Sequence, residues 1–304
     1  MRVLITGGTG FVGTHLSRHC LKLGHRVTAL GTRKRYDRID HPGFSYCGAD
    51  TTRPGRWQQY VTESDWIFNL AGRTIFQRWT RRYKRQIYDS RILTTRCVVD
   101  ALPPRTEAVL ISASAVGYYG NGADVELTES SPGGDDFLAT VSRDWEREAN
   151  RAKKKGARVA VARFGIVLGA DGGALAKMVP AFRSFVGGPL GDGRQWFPWI
   201  HIDDLTAACC HVASRDDLHG PFNFCAPVPV RNLEMARVLG KVLGRPAKMA
   251  VPRLMLKMMM GELAEVLLGG QRAVPSRLAA AGFEFSYPTI DGALADLMGR
   301  SSAL

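Results

Sequence analysis

The residues with the most specific spacing for chemistry form a glycine loop near the start of the chain. Thr6 is followed by Gly7-Gly8-Thr9-Gly10-Phe11-Val12-Gly13, in which a glycine recurs at every third position from Gly7. This pattern, between a short apolar run and a helical pattern, is typical of a dinucleotide-binding turn. Glycines allow a tight turn and let backbone amides approach a pyrophosphate, while the helix N-terminus adds partial positive charge. The sequence therefore predicts a dinucleotide site.

The end of the next apolar run indicates which dinucleotide is bound. A carboxylate there would hold the ribose hydroxyls of NAD, but the run ends Leu30-Gly31-Thr32-Arg33-Lys34-Arg35 and contains none. A guanidinium binds phosphate as a bidentate fork, so Arg33 is the first candidate for the 2′-phosphate of NADP, with Lys34 or Arg35 second. The alternative is a merely basic surface loop. We predict NADP(H) rather than NAD(H).

An alternation of strands and helices must position these residues. Short apolar runs predict strands at Arg2–Thr6, Arg26–Leu30, Asp65–Leu70, Ala108–Ser112 and Arg158–Arg163. Apolar residues at helical spacing predict helices at Phe11–Leu23, Trp79–Leu102, Asp136–Lys155 and Asp203–Ala213. Such an alternation predicts an α/β fold with a doubly wound parallel sheet, covered by helices on both faces.

The pattern changes after Arg163, where glycine-rich loops appear at Gly169–Gly173 and Gly187–Gly193. We therefore expect two domains. Residues 1–165 form an NADP-binding Rossmann domain, to which residues of about 196–224 return. Residues 166–195 and 225–304 form a smaller C-terminal cap that binds substrate.

The composition limits the classes of molecule that we expect the protein to bind. The chain has 304 residues and a formal net charge of +13. The densest basic stretch, Arg78–Arg91, has an amphipathic helical pattern, which indicates a solvated face; the alternative is a surface that attracts anionic cofactor and substrate. We expect no nucleic acid as a partner.

The sequence also indicates where the protein resides. Its first residues lack the long apolar region of a signal peptide, and no apolar run is long enough to span a membrane. The six cysteines form no C-x-x-C pair, so we expect reduced thiols in a cytoplasmic protein without membrane contact. No cluster has metal-ligand spacing, so we expect no metal. The sequence leaves a monomer or a homodimer open.

Several segments resemble those of the extended short-chain dehydrogenase/reductase superfamily. Besides the glycine loop, they are Asn69–Gly72, Ser112–Gly120 and Trp199–Asp204. More narrowly, the chain resembles the atypical "epimerase family" subgroup of NAD-dependent epimerase/dehydratase-like proteins, sometimes labelled cell-division inhibitors. The segments that carry this likeness are Val116–Gly120, Gly187–Gly191, Arg194–Trp196 and Gly270–Pro275. The likeness extends from Met1 to about Leu297.

The resemblance implies a path for the cofactor. The pyrophosphate would lie against the glycine loop, at Gly7, Thr9, Gly10, Phe11, Val12 and Gly13. Asp50 would lie near the adenine, and Ser112 belongs to the same cofactor-binding set. The remaining border of the cofactor would be Leu70, Ala71 and Gly72, with Phe164, Gly165, Ile166 and Val167 near the nicotinamide.

The resemblance also implies a catalytic serine, Ser114, which would form a hydrogen bond with the oxygen of the reacting carbonyl or carbinol. The alternative is a hydroxyl at a strand end that only forms hydrogen bonds with the backbone.

The usual superfamily base is a Tyr followed four residues later by a Lys, which lowers the pKa of the tyrosine. Here those positions fall at Leu138 and Ser142. Tyr118 and Glu129 are the candidate substitutes. Each has a structural alternative, a pocket wall for Tyr118 and an acceptor for a nearby loop or helix start for Glu129.

Residues Gly187–Trp196 resemble the loop that closes over substrate in this fold. Arg194, Gln195 and Trp196 offer a cation, an amide and a stacking surface, which suit a small, partly anionic or sugar-nucleotide-like molecule. His201 is either a ligand of that molecule or a structural histidine before a helix that Asp203 caps.

Two functions follow from these residues. The first is an NADP(H)-dependent oxidoreductase or epimerase-like enzyme that acts on a small carbonyl or sugar-nucleotide-like substrate without the Tyr and Lys. The second is a sensor or regulatory protein that binds NADP(H) with weak or no catalysis.

Overall fold

The structure is a computed structural model that describes residues 1–301. Its strands are β1 (Arg2–Thr6), β2 (Arg26–Gly31), β3 (Phe44–Gly48), β4 (Trp66–Asn69), β5 (Val109–Ala115), β6 (Glu126–Leu127), β7 (Arg158–Phe164), β8 (Ile166–Gly169), β9 (Gly172–Gly173), β10 (Trp196–Phe197), β11 (Trp199–His201), β12 (Gly220–Phe224), β13 (Val230–Arg231) and β14 (Arg272–Ala273). Its helices are α1 (Phe11–Lys22), α2 (Gln59–Thr62), α3 (Arg81–Ala101), α4 (Phe137–Asn150), α5 (Leu175–Arg183), α6 (Ile202–Ser214), α7 (Asn232–Leu243), α8 (Arg253–Met260), α9 (Leu263–Leu268), α10 (Ser276–Ala280) and α11 (Ile290–Ser301). Short 3₁₀ segments lie at Arg56–Gln58, Val116–Tyr119 and Arg151–Lys155.

Seven strands form one sheet in the spatial order β12-β7-β5-β4-β1-β2-β3. Every neighbouring pair is parallel. The chain builds outward from β1 through β2 to β3, then crosses to β4 on the other side of β1. This reversal leaves a crevice beyond the carboxyl ends of β1 and β4, where ligands bind in open α/β sheets. The predicted doubly wound parallel sheet is confirmed.

Alternating side chains of β1 pack against helices on the two faces of the sheet. Val3 and Ile5 belong to a buried cluster that includes Leu16 of α1 and helix α6. Leu4, between them, belongs to a second cluster that includes Val98 of α3. Successive strand side chains point to opposite faces, so each short apolar run contributes to two cores at once. Burial of each such side chain stabilises the fold by about 1.5–3 kcal/mol.

The two edge strands of the sheet are not among the sequence predictions. In β3 the side chains are half-buried or exposed, so its pattern lacks the apolar run that marks the central strands. At the opposite edge, β12 contains Gly220 and Pro221 and pairs with β7. Glycine and proline are depleted in strands, and proline is confined to edges because it lacks an N–H. The strand was therefore not predicted from the sequence, because its pairing with β7 stabilises it in spite of these residues.

Three small sheets lie outside the main sheet and join distant parts of the chain. They pair β8 with β11 and β9, β10 with β13, and β6 with β14. The C-terminal helices complete this region, where α11 packs against α7 and α8 against α9. Within residues 1–301, no helix combines the length and apolar character that crossing a membrane requires.

Helix α6 begins differently from the expectation. Its N-cap is His201, whose Nδ1 accepts the backbone N–H of Asp203 at 3.1 Å. Asp203 itself lies in the first turn and pairs with Arg300 of α11 at 2.8 Å. The prediction that Asp203 caps the helix is therefore wrong, because the imidazole two residues earlier supplies the acceptor.

Candidate active site

The glycine loop joins β1 to α1 at the crevice. Gly7 has a φ of +67°, and a Cβ there would lie 3.0 Å from the backbone of Ala71. A Cβ on Gly13 would lie 2.4 Å from the Gly7 carbonyl oxygen, so only glycine permits this packing of helix on turn. Gly10 is the N-cap of α1 and gives it no side-chain cap. The first amides of α1 are therefore free of a side-chain acceptor and suit an anionic group.

The loop after β2 is held over the end of β3. The hydroxyl of Tyr46 donates to the Arg33 carbonyl at 2.6 Å, and the Tyr36 hydroxyl lies 2.7 Å from Oγ1 of Thr14 in α1. The side chains of Arg33 and Lys34 are exposed beyond the carboxyl end of β2. Among the described residues, no acidic side chain occupies that end, since Gly31 closes the strand against Thr9. This arrangement leaves both cations available to a phosphate.

Asp50 lies just beyond β3 with an exposed carboxylate. Its Oδ1 accepts hydrogen bonds from Oγ1 and the backbone N–H of Thr52, at 2.6 and 3.1 Å. The hydrogen bond from the Thr52 hydroxyl lowers the pKa of Asp50. The side chain is thus a fixed carboxylate at the edge of the crevice.

A cavity of about 970 Å³ opens from the glycine loop across the carboxyl ends of β4, β5 and β7. Its wall includes Phe11 and Val12 at the start of α1, Ser114 on β5, and part of α9. The other predicted site residues on the wall are Leu70, Gly72, Phe164, Gly165, Ile166, Val167, Gln195 and Trp196. Leu138 and Ser142 of α4, the positions expected from the sequence for the usual Tyr and Lys of the superfamily, also face this cavity.

Predicted cofactor residues that are not on the cavity wall lie beneath it or beside it. Ser112 is buried and receives a 3.3 Å hydrogen bond from the side chain of Asn69. Asn69 also donates to Thr95, and Thr6 donates to Asn69. The backbone N–H of Ala71 reaches Oγ1 of Thr6 at 3.2 Å. This buried network fixes the carboxyl ends of β1, β4 and β5 under the cavity.

Ser114 has a specific acidic partner. Its Oγ donates to Oε1 of Glu146 on α4 at 2.7 Å, and the hydroxyl is on the cavity wall. Glu146 also pairs with Arg163 of β7 through two bonds of 2.9 Å, Nε to Oε1 and Nη2 to Oε2. A carboxylate only accepts hydrogen bonds, so the Ser114 proton is directed at Glu146. The oxygen lone pairs of Ser114 are left to accept a hydrogen bond from a molecule in the cavity.

Tyr118 does not line the cavity with Ser114. The guanidinium of Arg163 lies 3.5 Å from the centroid of its ring, and Gly133 packs against the ring carbons. The neighbouring Tyr119 is buried and bonds Asn223 and Arg163 through its hydroxyl. Burial raises the pKa of Tyr119 to about 12, which keeps it protonated at neutral pH. These contacts favour the structural alternative for Tyr118.

Glu129 is placed away from the cavity wall, and its carboxylate is buried between two segments. Its Oε1 accepts the backbone N–H groups of Asn223 in β12 at 3.0 Å and Arg277 in α10 at 3.2 Å. Removing that acceptor would leave two backbone donors unpaired. The contacts therefore favour Glu129 as the acceptor of a helix start and a strand.

The predicted substrate residues divide into two groups. Gln195 and Trp196 are on the cavity wall, and the side-chain amide of Gln195 donates to the carbonyls of Leu190 and Leu267. Arg194 is exposed outside the wall. His201 is fully buried, stacks on Tyr287 with ring centroids 3.8 Å apart, and caps α6. Its contacts favour the structural alternative.

Two residues of the site are absent from the sequence predictions as functional groups. Arg91 belongs to the basic stretch expected to form a solvated face, yet its guanidinium is on the cavity wall. The signal was its position, four residues after the buried Ile87 and so on the apolar face of α3. Glu146 is not among the predicted site residues, although Arg163, a charged residue within the apolar β7, indicated that this strand has a buried acidic partner.

In the part of the chain that the structure describes, no group of three or more His, Cys, Asp or Glu side chains could hold a metal ion. The site is therefore built from a glycine loop, a serine, a Glu–Arg pair and a separate arginine.

Comparison with known proteins identifies relatives of this chain. Residues 251–297 match a domain of unknown function (DUF1731). The chain is 42% identical over 302 residues to "Epimerase family protein SDR39U1 homolog, chloroplastic" of Arabidopsis thaliana, covering 98% of this chain and 87% of that protein. It is 38% identical over 302 residues to "Epimerase family protein SERP0438" of Staphylococcus epidermidis, covering 98% and 99%.

A solved structure agrees with these relatives. The crystal structure of human epimerase family protein SDR39U1 (isoform 2) with NADPH superposes with a TM-score of 0.86 and 34% identity, covering 100% of both chains. The resemblance to the extended short-chain dehydrogenase/reductase superfamily is confirmed. Residues 3–225, which include the glycine loop, Ser114 and all of the main sheet except Arg2, match the model of the NAD dependent epimerase/dehydratase family, so the chain belongs to that family.

Proposed function

We propose that the protein is an NADP(H)-dependent oxidoreductase or epimerase-like enzyme acting on a small carbonyl or carbinol compound. The observation that carries the proposal is the cavity that runs from Phe11 and Val12, at the start of α1, to the hydroxyl of Ser114. One molecule of cofactor and one of substrate would share this space. The similarity to a human protein crystallised with NADPH supports the same choice of cofactor.

The residues present fit NADP(H). The glycine loop leaves no room for a Cβ at Gly13 and leaves the first amides of α1 uncapped, which suits a pyrophosphate. Arg33 and Lys34 would hold the 2′-phosphate, because both are exposed where an acidic residue would otherwise select NAD. Phe164, Gly165, Ile166 and Val167 would border the nicotinamide.

Bound NADP(H) supplies hydride exchange with the substrate carbon, and the chain must handle the proton. In the oxidising direction, the substrate hydroxyl donates to Oγ of Ser114. Its O–H bond breaks as the carbonyl forms, Oγ takes that proton, and the original Ser114 proton passes to Oε1 of Glu146, 2.7 Å away. The reducing direction returns both protons along the same path. Arg163 balances the charge on Glu146 while that carboxylate is ionised, before it takes up the proton.

This path replaces a base that the helix lacks. Leu138 and Ser142, at the positions expected for the superfamily's usual Tyr and Lys, face the cavity, and neither side chain is an acid or a base near neutral pH. Glu146 lies one helical turn beyond Ser142 and reaches the reaction only through Ser114. The serine is thus the group that touches substrate, and Glu146 accepts its proton.

Substitution of Ser114 by alanine tests the proposal. NADPH oxidation is first screened against panels of carbonyl and enone compounds, and each hit is repeated with Ser114→Ala. We expect turnover to fall by about 10²–10⁴ with NADPH affinity unchanged, because a positioned proton-transfer group is lost.

Ser64→Ala is the matched control, since that hydroxyl donates to the Tyr60 carbonyl at 2.6 Å just before β4, at the opposite end of the sheet. Undiminished turnover in Ser114→Ala would show that the reaction centre lies elsewhere.

Leu138 and Ser142 favour one alternative function. With no acid–base group of its own on that part of the wall, α4 suits a protein that binds NADP(H) as a sensor or regulator. Tight NADPH binding without turnover of any compound in the panels would support the sensor and contradict the enzyme.

A further inference from the structure

Arg91 places a cation in the cavity wall without an acidic partner. Its Nη1 donates to the carbonyls of Arg73 at 3.1 Å and Ile87 at 2.9 Å. In residues 1–301, no carboxylate lies within ion-pair distance of this guanidinium, and its Nε and Nη2 make no hydrogen bond. Neutral carbonyl groups thus hold the guanidinium in place. Its Nε and Nη2 remain able to donate to a further acceptor.

The guanidinium packs close to Trp145 and Gly72. It lies 5.2 Å from the ring of Trp145, and a Cβ on Gly72 would come within 3.1 Å of its Cζ. The indole N–H of Trp145 donates to Thr95, which fixes the ring in turn. Burial lowers the pKa of Arg91 to about 10, so the side chain remains charged at neutral pH. A rigid cation of this kind is ready for an anion at small entropic cost.

The carboxylates on the cavity wall do not neutralise it, because three of the four that the structure describes there have other partners and the fourth is exposed and outside ion-pair distance of the guanidinium. Glu262 pairs with Lys84 at 2.6 Å, and Glu265 pairs with Lys257 at 3.5 Å. Asp136 caps α4 by accepting the Ala139 N–H. Asp135 is exposed at the rim, ahead of α4.

We propose that Arg91 binds a carboxylate or phosphate of the substrate, which makes the substrate an anionic carbonyl or carbinol compound. The inference rests on the proposed function, in that the substrate occupies this cavity beside Ser114. A guanidinium with free Nε and Nη2 matches the two oxygens of such a group as a bidentate fork. Arg91 thereby takes the role expected of Arg194, which is exposed outside the wall.

The test uses the protein saturated with NADP⁺ and titrated with sodium sulfate at constant ionic strength. Binding is followed by isothermal titration calorimetry, with the change in total tryptophan fluorescence, to which Trp145 beside the guanidinium contributes, as a second signal. We expect sulfate to bind the unmodified protein, and Arg91→Gln to weaken it by at least about tenfold with NADP⁺ affinity unchanged. Arg91→Lys, which keeps the charge but not the fork, should fall between them and serves if Arg91→Gln does not fold.

Arg85→Gln is the matched control, because Arg85 is an exposed arginine of the same helix that pairs with Asp89. Equal sulfate affinity in Arg91→Gln would overturn the inference, as would the absence of sulfate binding to the unmodified protein. A parallel loss of NADP⁺ affinity would assign Arg91 to the cofactor instead.

A second arm uses substrate-like compounds in matched pairs of acid and amide. We expect only the acid of each pair to raise the melting temperature of the NADP⁺-bound protein, and only when Arg91 is present. Neither arm needs turnover. Turnover without any anion binding by the unmodified protein would overturn this inference alone, whereas anion binding without turnover would overturn only the proposed enzyme.

Discussion

At the scale of single residues, the Glu146–Arg163 pair links stability to chemistry. Both side chains are almost fully buried, and each satisfies the charge of the other through a bidentate contact. Arg163 also donates to the Tyr119 hydroxyl and lies against the Tyr118 ring. The pair therefore fixes the carboxylate that Ser114 requires.

Loss of one member of this pair should be costly. Glu146→Gln leaves Arg163 buried without a counter-charge, so we expect the free energy of unfolding to fall by about 3–5 kcal/mol. Urea unfolding measures the change. The double variant Glu146→Gln with Arg163→Met should recover part of the loss, since no charge is then left unpaired. A double variant less stable than Glu146→Gln would contradict this explanation.

Arg33 should decide the preference for the phosphorylated cofactor. Arg33→Ala removes one charged hydrogen bond to the 2′-phosphate, so we expect NADP⁺ binding to weaken by about 1.5–3 kcal/mol. NAD⁺ binding should not change. Paired titrations at one ionic strength measure both, with Lys22→Ala, at the far end of α1, as the control. Equal losses for the two cofactors would show that Arg33 only holds the loop.

The sequence predicted local motifs better than the partners of single side chains. The glycine loop could be read because its three glycines are fixed by turn geometry next to one strand and one helix. Arg91 and Glu146 depend on which faces of α3 and α4 meet, and on what remains unpaired between them. Tyr118 and Glu129 are near Ser114 in sequence. However, the Tyr118 ring contacts β7, and the Glu129 carboxylate contacts β12 and α10. Only tertiary structure decides that.

At the scale of elements, the start of α6 joins the sheet to the C-terminal segment. His201 caps the helix and stacks on Tyr287. Asp204 accepts the backbone N–H groups of Ser286 and Tyr287 at 2.9 and 3.0 Å. Arg300 reaches Asp203 from α11. One helix terminus thus holds a loop and the last helix together.

Asp204→Ala should loosen this junction. The variant leaves two backbone donors without their acceptor, so we expect the free energy of unfolding to fall by about 1–3 kcal/mol. Thermal unfolding measures this loss of stability. Hydrogen exchange should show that the backbone amides of Ser286 and Tyr287 are the first to exchange faster. Asp203→Ala, which removes only a half-exposed ion pair, is the control and should cost much less. Equal costs would contradict the role of Asp204.

His201 should make the junction sensitive to acid. Burial lowers the pKa of His201, although Asp203 and Asp296 oppose this and Arg300 adds to it. The folded protein therefore holds the neutral imidazole, while the unfolded chain takes up a proton near pH 6.5. Its contribution to stability is complete above that pH and is lost as the pH falls below it.

The comparison is with His201→Asn, which keeps an acceptor for the Asp203 N–H but does not titrate. Urea unfolding at a series of pH values should give a shallower loss of stability below about pH 6.5 in the variant. Identical slopes would assign the acid sensitivity to other groups, such as His25, whose pKa is also lowered by burial.

At the scale of the whole molecule, the net charge of +13 creates a field that attracts anions. NADPH carries more negative charge than NADH, so its association should be accelerated more. Stopped-flow rates should fall with salt as the screening length shortens from about 30 Å at about 0.01 M to about 3 Å at about 1 M. We expect the steeper fall for NADPH. Equal slopes would show that only local contacts distinguish the two cofactors.

The order of strands in the main sheet also has a consequence for synthesis. Strand β7 ends at Phe164, but its outer neighbour β12 begins only at Gly220. At about 5–20 residues per second, a ribosome needs roughly 3–10 s to make the intervening segment. During that time the nascent chain presents the unpaired edge of a buried, apolar strand, which is a template for aggregation. Binding by a chaperone would therefore protect the nascent chain most while the segment between β7 and β12 is being synthesised.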